Sequence, residues 1–151
     1  MKEYISVFVF VTFFSLFSFA QVEETPPPNY IKTIEFMGNT DQAQLPILKL
    51  GEPFQLRFDD IIGDERDYYY TIEHYNFDWT PSSLSKGEYI DGFDDVRIEN
   101  YENSFNTLQI YSHYRLNVPN RDVRRLTKSG NYLIKVFDDR RNLIFSRKFM
   151  I

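Results

Sequence analysis

Short runs in which apolar and polar residues alternate are the feature of this sequence that most constrains its fold. Phe54, Leu56 and Phe58 alternate with Gln55 and Arg57. Successive side chains of a β-strand point to opposite faces, so this period of two predicts a strand with one buried face. No segment has the 3.6-residue apolar spacing of a helix over three turns. Further β-branched and aromatic runs lie at 30–36, 45–50, 68–73, 96–98, 114–118, 132–136 and 143–151.

The spacing of these runs predicts the fold class. About seven short strands, separated by turn residues and without helices, favour an all-β immunoglobulin- or fibronectin-like β-sandwich. The connection at 79–108 is too long to be plain loop in a compact domain. Residues 96–98 are therefore expected to form an extra edge strand within it.

Residues 126–132 have the pattern of a tyrosine corner, in which a Tyr at the start of a late strand hydrogen-bonds back to nearby backbone. Tyr132 is the predicted ring, Gly130 the residue with an unusual backbone angle, and Leu126 the residue packed under the ring. An ordinary turn before a strand is the alternative. A corner would make all three residues structural.

The N-terminus has the pattern of a secretory signal peptide at 1–20. Lys2 precedes an apolar run at 5–19, which is shorter than the roughly 20 residues that a membrane-spanning helix needs. The small residues Ser18 and Ala20 then precede a polar segment, which predicts cleavage after Ala20 and export to the periplasm. A signal anchor that stays in the membrane is the alternative.

The rest of the chain divides into a spacer and one domain. Three consecutive prolines at 26–28 predict an extended, Pro-rich spacer at 21–29. A single β-sandwich domain is expected at 30–151, a length that suits one core. Residues 145–151 still have a strand pattern with no polar tail after them, so we expect a domain boundary there within a longer protein.

Composition argues against several classes of function. The chain has no cysteine, which leaves no disulfide, thiol chemistry or thiolate metal site within it. Its formal net charge of −5 is unfavourable for nucleic-acid binding, which needs clustered Lys and Arg. The basic cluster at 121–128 is interrupted by Asp122 and apolar residues and is interpreted as a solvated loop or edge. An anionic-partner site is the alternative.

Candidate catalytic groups are few. Only His74 and His113 could act as general bases near neutral pH, and both lie in strand patterns beside Tyr, which indicates half-buried sheet positions. The acidic clusters at 59–67 and 91–95 lack the spacing of a calcium loop. The sequence has no nucleophile elbow, His-rich metal motif or glycine-rich phosphate loop. We therefore predict a protein that is not an enzyme and that has no cofactor or metal.

Aromatic residues are frequent, at 18% of the chain. A disulfide-free sandwich fills its core with such rings, but aromatic side chains also suit protein interfaces. Trp79, Tyr89 and Phe93 lie within the long connection, where core packing alone does not explain them. They are the predicted partner-binding residues, in the segment 79–95. Burial near a central strand is the alternative for Trp79.

Several motifs, occurring in a fixed order, resemble those of one protein family. They include Glu88-Tyr-Ile-Asp-Gly-Phe-Asp-Asp95 and lie at 38–42, 67–81, 88–95, 104–108, 111–115 and 145–149. From about Tyr30 to Ile151 the chain resembles the first domain of the type IX secretion system plug protein, formerly a domain-of-unknown-function family.

The resemblance implies a non-enzymatic periplasmic protein, peripheral to the outer membrane. Such a protein binds the outer-membrane translocon barrel of the secretion system and closes its periplasmic opening. It would need no cofactor, and the resemblance implies further domains after this one but no residue-level binding site. A carbohydrate-binding or spacer β-sandwich module of an exported envelope protein is the alternative, supported by aromatic content and fold class alone.

Overall fold

The computed structural model describes residues 21–38 and 46–151. The predicted signal peptide at 1–20 lies outside the described residues, as does the segment 39–45. The described residues contain ten strands and one short helix. They are β1 (Ile31–Met37), β2 (Phe54–Asp60), β3 (Tyr69–Tyr75), α1 (Lys86–Tyr89), β4 (Ile90–Gly92), β5 (Val96–Arg97), β6 (Tyr101–Asn103), β7 (Ser112–Val118), β8 (Val123–Leu126), β9 (Asn131–Phe137) and β10 (Leu143–Met150).

The strands form an all-β sandwich, as the alternating pattern predicted. One four-stranded sheet has the order β1-β2-β7-β6 and the other has the order β10-β9-β3-β5, while β4 and β8 form a separate two-stranded ribbon. The strand pairs within these sheets are antiparallel. Buried side chains from both four-stranded sheets belong to one hydrophobic core.

Strand β2 shows how the alternation builds this core. Phe54, Leu56 and Phe58 are buried, while the intervening Gln55 and Arg57 are partly exposed. β1 pairs with one side of β2 and β7 with the other, so β2 is a central strand. Successive side chains of a pleated strand point to opposite faces of the sheet, so every second side chain of β2 points into the core.

Aromatic rings fill the space between the two sheets. Phe58, from β2, stacks on Tyr114 with 5.0 Å between ring centroids. Tyr68 and Phe145 each meet the Phe58 ring edge-on at 5.2 Å. Since Phe145 belongs to β10, this group joins one sheet to the other.

The two ends of the sandwich are called here the loop end and the C-terminal end. At the loop end, the chain turns between strands at 61–68, 104–111 and 138–142. At the C-terminal end, Ile151 follows β10 and exchanges backbone hydrogen bonds with Gly130, which precedes β9.

The predicted spacer at 21–29 contacts the outer edge of β10 through Glu24 and Thr25. The Ser146 N–H donates to the Thr25 carbonyl at 3.1 Å, and the Thr25 N–H donates to Ser146 Oγ at 2.7 Å. Exposed strand edges invite pairing with other chains, and proteins commonly cover them. The Pro-rich segment therefore packs on the domain and covers an edge strand.

One strand prediction is wrong in its described part. Within 45–50, Ile47 makes only an isolated bridge to Met150. Pro46 has no N–H to contribute to a ladder, which limits pairing at this position. The strand expected at 96–98 is confirmed as β5, at the edge of its sheet. Three further short strands, β4, β6 and β8, form where none was predicted.

Candidate interaction surface

The segment 79–95, predicted to bind a partner, is a folded part of the domain. Ser85 and Glu88 form a capping box at the start of α1, in which the Ser85 N–H donates to Glu88 Oε2 at 2.8 Å. The chain then enters β4, which pairs with β8. These local interactions and strand pairings fix which of the three candidate rings reach solvent.

Tyr89 is buried, with 4% of its surface exposed, and belongs to the hydrophobic core. Its hydroxyl donates to the Ile72 carbonyl at 3.3 Å, and its ring lies 5.5 Å from His74 and 6.1 Å from Tyr132. Burial raises the pKa of this hydroxyl to about 12, so it remains a neutral donor at physiological pH. Tyr89, which the sequence predicts to contact a partner, is therefore a core residue in this structure, because the fold of 85–92 directs its ring inward.

Trp79 is half-buried on the outer face of the β10-β9-β3-β5 sheet. Its ring centroid lies 6.2 Å from that of Tyr75 and 4.4 Å from Lys148 Nζ. Leu133 pairs with Lys148 and so shares this outer face, yet it is only 1% exposed. We interpret Trp79 as part of the cover of this face, which leaves only part of its ring accessible to a partner.

Phe93 faces solvent, with 81% of its surface exposed. Its N–H donates to the Asp122 carbonyl at 2.9 Å, while the Ile72 N–H donates to the neighbouring Asp94 Oδ2 at 2.6 Å. Gly92 has a φ of 131°, and an added Cβ there would overlap the Asp122 carbonyl. The backbone is therefore held in place while the ring is exposed, which suits a preorganised contact residue.

A second exposed apolar group lies at the loop end and was not predicted from the sequence. Ile62, Phe105, Leu108 and Ile110, here called the loop cluster, belong to two neighbouring turns. Phe105 is 94% exposed and Leu108 is fully exposed. Large exposed apolar groups on folded proteins mark interaction sites more often than chance, because leaving them in water is unfavourable.

Hydrogen bonds hold the 104–111 loop in place while these side chains face solvent. The Ser104 N–H donates to the Tyr111 carbonyl at 2.8 Å, and the Tyr111 N–H donates to Ser104 Oγ at 2.9 Å. Gln109 Nε2 donates to the Ile61 carbonyl at 2.9 Å and ties the loop to the turn after β2. The backbone that carries the loop cluster is thus preorganised, which lowers the entropic cost of binding.

The sequence does contain a signal for this loop. Residues 104–112 include no charged side chain, whereas 26% of the whole chain is charged. An uncharged run with Phe105 and Leu108 fits a buried strand as well as an exposed contact loop. The sequence therefore identifies this run only as a family motif. Whether the run is a buried strand or an exposed loop depends on the burial of its side chains in the folded domain.

Tyr132 makes the hydrogen bond that characterises a tyrosine corner. Its hydroxyl donates to the Lys128 carbonyl at 2.7 Å, and its ring is fully buried, 5.2 Å from that of Phe149. Gly130 has a φ of 148°, a backbone angle that favours glycine, and Leu126 is buried in the same core. We assign these residues a structural role.

Replacing Tyr132 by Phe is expected to lower the free energy of unfolding by about 0.5–1.5 kcal/mol, because it removes one hydrogen bond and keeps the buried ring. Urea unfolding followed by the fluorescence of Trp79, the single tryptophan, measures the change. Tyr111→Phe, at a partly exposed tyrosine, is the control and should shift the midpoint less. An unchanged midpoint and slope for Tyr132→Phe would refute the corner.

Each of the two histidines lies within hydrogen-bond distance of one other residue. His113 Nδ1 lies 2.5 Å from Asp59 Oδ1 across β2 and β7. His74 Nε2 lies 3.2 Å from the Ser129 carbonyl, with its ring against that of Tyr132. In the part of the chain that the structure describes, no group of three or more His, Cys, Asp or Glu side chains could hold a metal ion. The exposed apolar side chains, rather than the histidines or carboxylates, are therefore the candidate interaction site.

The fold and surface define a class, an all-β sandwich domain that presents exposed apolar side chains on hydrogen-bonded loops. Within it, the chain belongs to the family described as type 9 secretion system plug protein 1st domain, which matches residues 31–151. The resemblance drawn from the motifs is therefore confirmed. Membership of this family connects the domain with type 9 secretion.

The crystal structure of a hypothetical protein from Parabacteroides merdae is similar to this chain, with a TM-score of 0.77 and 33% sequence identity. The match covers 87% of this chain and 34% of that protein, so the chain spans about a third of the length of its relative. No curated protein matches the chain. Across residues 21–38 and 46–151, no helix is long and apolar enough to cross a membrane.

Proposed function

We propose that this domain is a non-enzymatic, periplasmic component that binds the outer-membrane translocon barrel of the type IX secretion system and closes its periplasmic opening. Family membership supports the role in secretion. The observation that carries the binding role is the loop cluster. Closing an opening requires a rigid body with a surface that fits the rim, and it requires no catalytic group.

The loop cluster has the properties of a protein-binding anchor. Interface energy is concentrated in a few large side chains that become fully desolvated on binding. Phe105 and Leu108 project from a hydrogen-bonded loop at one end of a sandwich. Since residues 104–112 carry no charge, burying them in an apolar pocket leaves no charged group from this loop without water. We therefore propose that the loop end faces the barrel.

Phe93 and the accessible part of Trp79 remain proposed partner-binding residues. Their support is the exposure of the Phe93 ring on a fixed backbone and the half-exposure of Trp79. Tyr89 is no longer in this set, since a buried ring cannot reach a partner without unfolding its surroundings. The loop cluster takes the place of Tyr89.

The proposed location follows from the N-terminal sequence. The apolar run at 5–19 and the small residues before Gln21 support removal of 1–20 during export and a mature protein peripheral to the outer membrane. N-terminal mass spectrometry of the membrane-associated protein should then find Gln21 as the first residue. An intact Met1 on exported protein would contradict cleavage.

The double variant Phe105→Ser/Leu108→Ser should reduce capture of the translocon barrel from detergent-solubilised outer membranes by about tenfold or more, as expected for loss of anchor residues. Both side chains are exposed, so the free energy of unfolding should change little. Quantitative mass spectrometry of the captured barrel measures the effect. Phe77→Ser is the control, because Phe77 is 93% exposed near the C-terminal end.

Three other outcomes would contradict the proposed contact. An equal loss for Phe77→Ser, two positions from Trp79, would show that capture of the barrel does not depend specifically on the loop cluster. Full capture by the loop variant, with loss for Phe93→Ala, would move the contact to the segment 79–95. Failure of the unsubstituted protein to capture the barrel, together with retention on immobilised envelope glycan, would favour a carbohydrate-binding module.

A further inference from the structure

A third exposed apolar group lies at the C-terminal end of the sandwich. Ile47 is 60% exposed, Leu50 57% and Met150 41%. Ile47 and Met150 are bridge partners, and Leu50 lies in the turn that follows Ile47, so all three residues lie at this end of the sandwich. They are called here the exit patch, because they lie beside the end of β10, the last strand of the sandwich.

The backbone around the exit patch fixes these side chains in their outward positions. The Leu48 N–H donates to the Met150 carbonyl at 2.9 Å, and the Met150 N–H donates to the Pro46 carbonyl at 2.8 Å. Leu48 is buried in the core. Because successive side chains of an extended segment point to opposite faces, burial of Leu48 directs Ile47 outward.

The exit patch lies where the chain leaves the last strand. The Ile151 N–H donates to the Gly130 carbonyl at 3.0 Å, and the Gly130 N–H donates to the Ile151 carbonyl at 2.9 Å. This pair of hydrogen bonds holds residue 151 against the sandwich. Anything attached after Ile151 is therefore held within a short distance of Met150.

The relatives indicate what such a neighbour would be. The family description numbers this domain as the first, and the matched Parabacteroides merdae protein is about three times as long as the part that this chain covers. We propose that the exit patch is the surface against which the next domain of the same polypeptide packs. The contacting surface of that domain would be apolar and uncharged opposite Ile47 and Leu50.

The small size of the exit patch favours a tethered occupant over a separate one. Stable association of independent proteins buries about 20–30 residues on each side. A covalently linked domain instead binds at an effective concentration in the millimolar range for short linkers, so a few apolar contacts suffice. Interfaces between domains of one chain resemble transient protein–protein interfaces and bury about 600–1,500 Å².

Single-cysteine labelling of the full-length protein tests this inference, since residues 1–151 contain no cysteine of their own. Leu50→Cys is the probe and Ile110→Cys, at the loop end, is its control. The two positions have nearly equal exposure in this structure, 57% and 58%. A maleimide reagent should label position 50 about tenfold or more slowly than position 110 in the native protein, and at the same rate in urea. Mass spectrometry assigns each label to its position.

The outcomes separate the possible occupants of the exit patch. Slow labelling at position 50 that is independent of protein concentration supports packing of the following domain. Equal rates at positions 50 and 110 would overturn the inference, as would protection that is lost on dilution, which would indicate a second copy. The labelling uses purified protein without the translocon. A negative result would therefore overturn this inference without bearing on the proposed role of the loop cluster, which the capture experiment tests.

Discussion

Substituting Phe58 by Ala is expected to lower the free energy of unfolding by about 3–5 kcal/mol, the usual range for loss of a fully buried Phe ring. Phe58 has no exposed surface and packs against rings from both sheets. Its ring centroid lies 5.0 Å from that of Tyr114 and 5.2 Å from that of Phe145. The substitution removes the ring that joins the two sheets and leaves a cavity. A loss of this size is a large fraction of the total stability of a domain, which is about 5–15 kcal/mol.

Urea unfolding monitored by Trp79 fluorescence measures this effect. Phe105→Ala is the matched control, because it makes the same chemical change at a ring that is 94% exposed at the same end. The control should change the free energy of unfolding by less than about 0.5 kcal/mol. If Phe58→Ala proves too unstable to purify, Phe58→Leu should show a smaller loss of stability. Equal stability of Phe58→Ala and Phe105→Ala would contradict the described core.

Tyr89→Ala is expected to cost about 3 kcal/mol of unfolding free energy, whereas Phe93→Ala should stay within about 0.5 kcal/mol of the unsubstituted protein. The two rings are only four positions apart in the sequence, but Tyr89 is 4% exposed and Phe93 is 81% exposed. Removing the Tyr89 side chain deletes its contacts with His74 and Tyr132 and its hydrogen bond to the Ile72 carbonyl.

Thermal and urea unfolding of the two variants, measured side by side, test this contrast, and each variant serves as the control for the other. Tyr89→Phe keeps the buried ring and should recover most of the stability lost in Tyr89→Ala. Similar stabilities for Tyr89→Ala and Phe93→Ala would show that the segment 79–95 does not pack as described. Loss of stability in Phe93→Ala alone would reverse the assignment of the two rings.

The strands were largely predictable from the sequence because their pattern is local. The alternation of Phe54, Leu56 and Phe58 with polar residues appears unchanged as the inward and outward faces of β2. The edge strand at 96–98 was also predictable, from the length of its connection. The error at 45–50 arose because an apolar run predicts burial without saying whether its backbone has a partner strand along its whole length.

The candidate site was less predictable than the fold. Aromatic residues in a long connection looked available for binding, yet Tyr89 is in the core and Trp79 is half-buried beside Lys148. The most exposed rings and aliphatic side chains are instead found partly in the uncharged run around Phe105 and Leu108. Composition identifies such residues as apolar, but their exposure depends on how the loop is held.

The sequence by itself determined the all-β class, the positions of the central strands and the family, because strand periodicity and motif order are properties of neighbouring residues. Only the tertiary structure decided which rings are exposed and how the edge of β10 is covered. Those outcomes depend on contacts between distant segments, such as Tyr89 with Ile72 and Thr25 with Ser146. The free energy of burying a side chain is set by all the groups that surround it, and these groups come together only when the sheets pack.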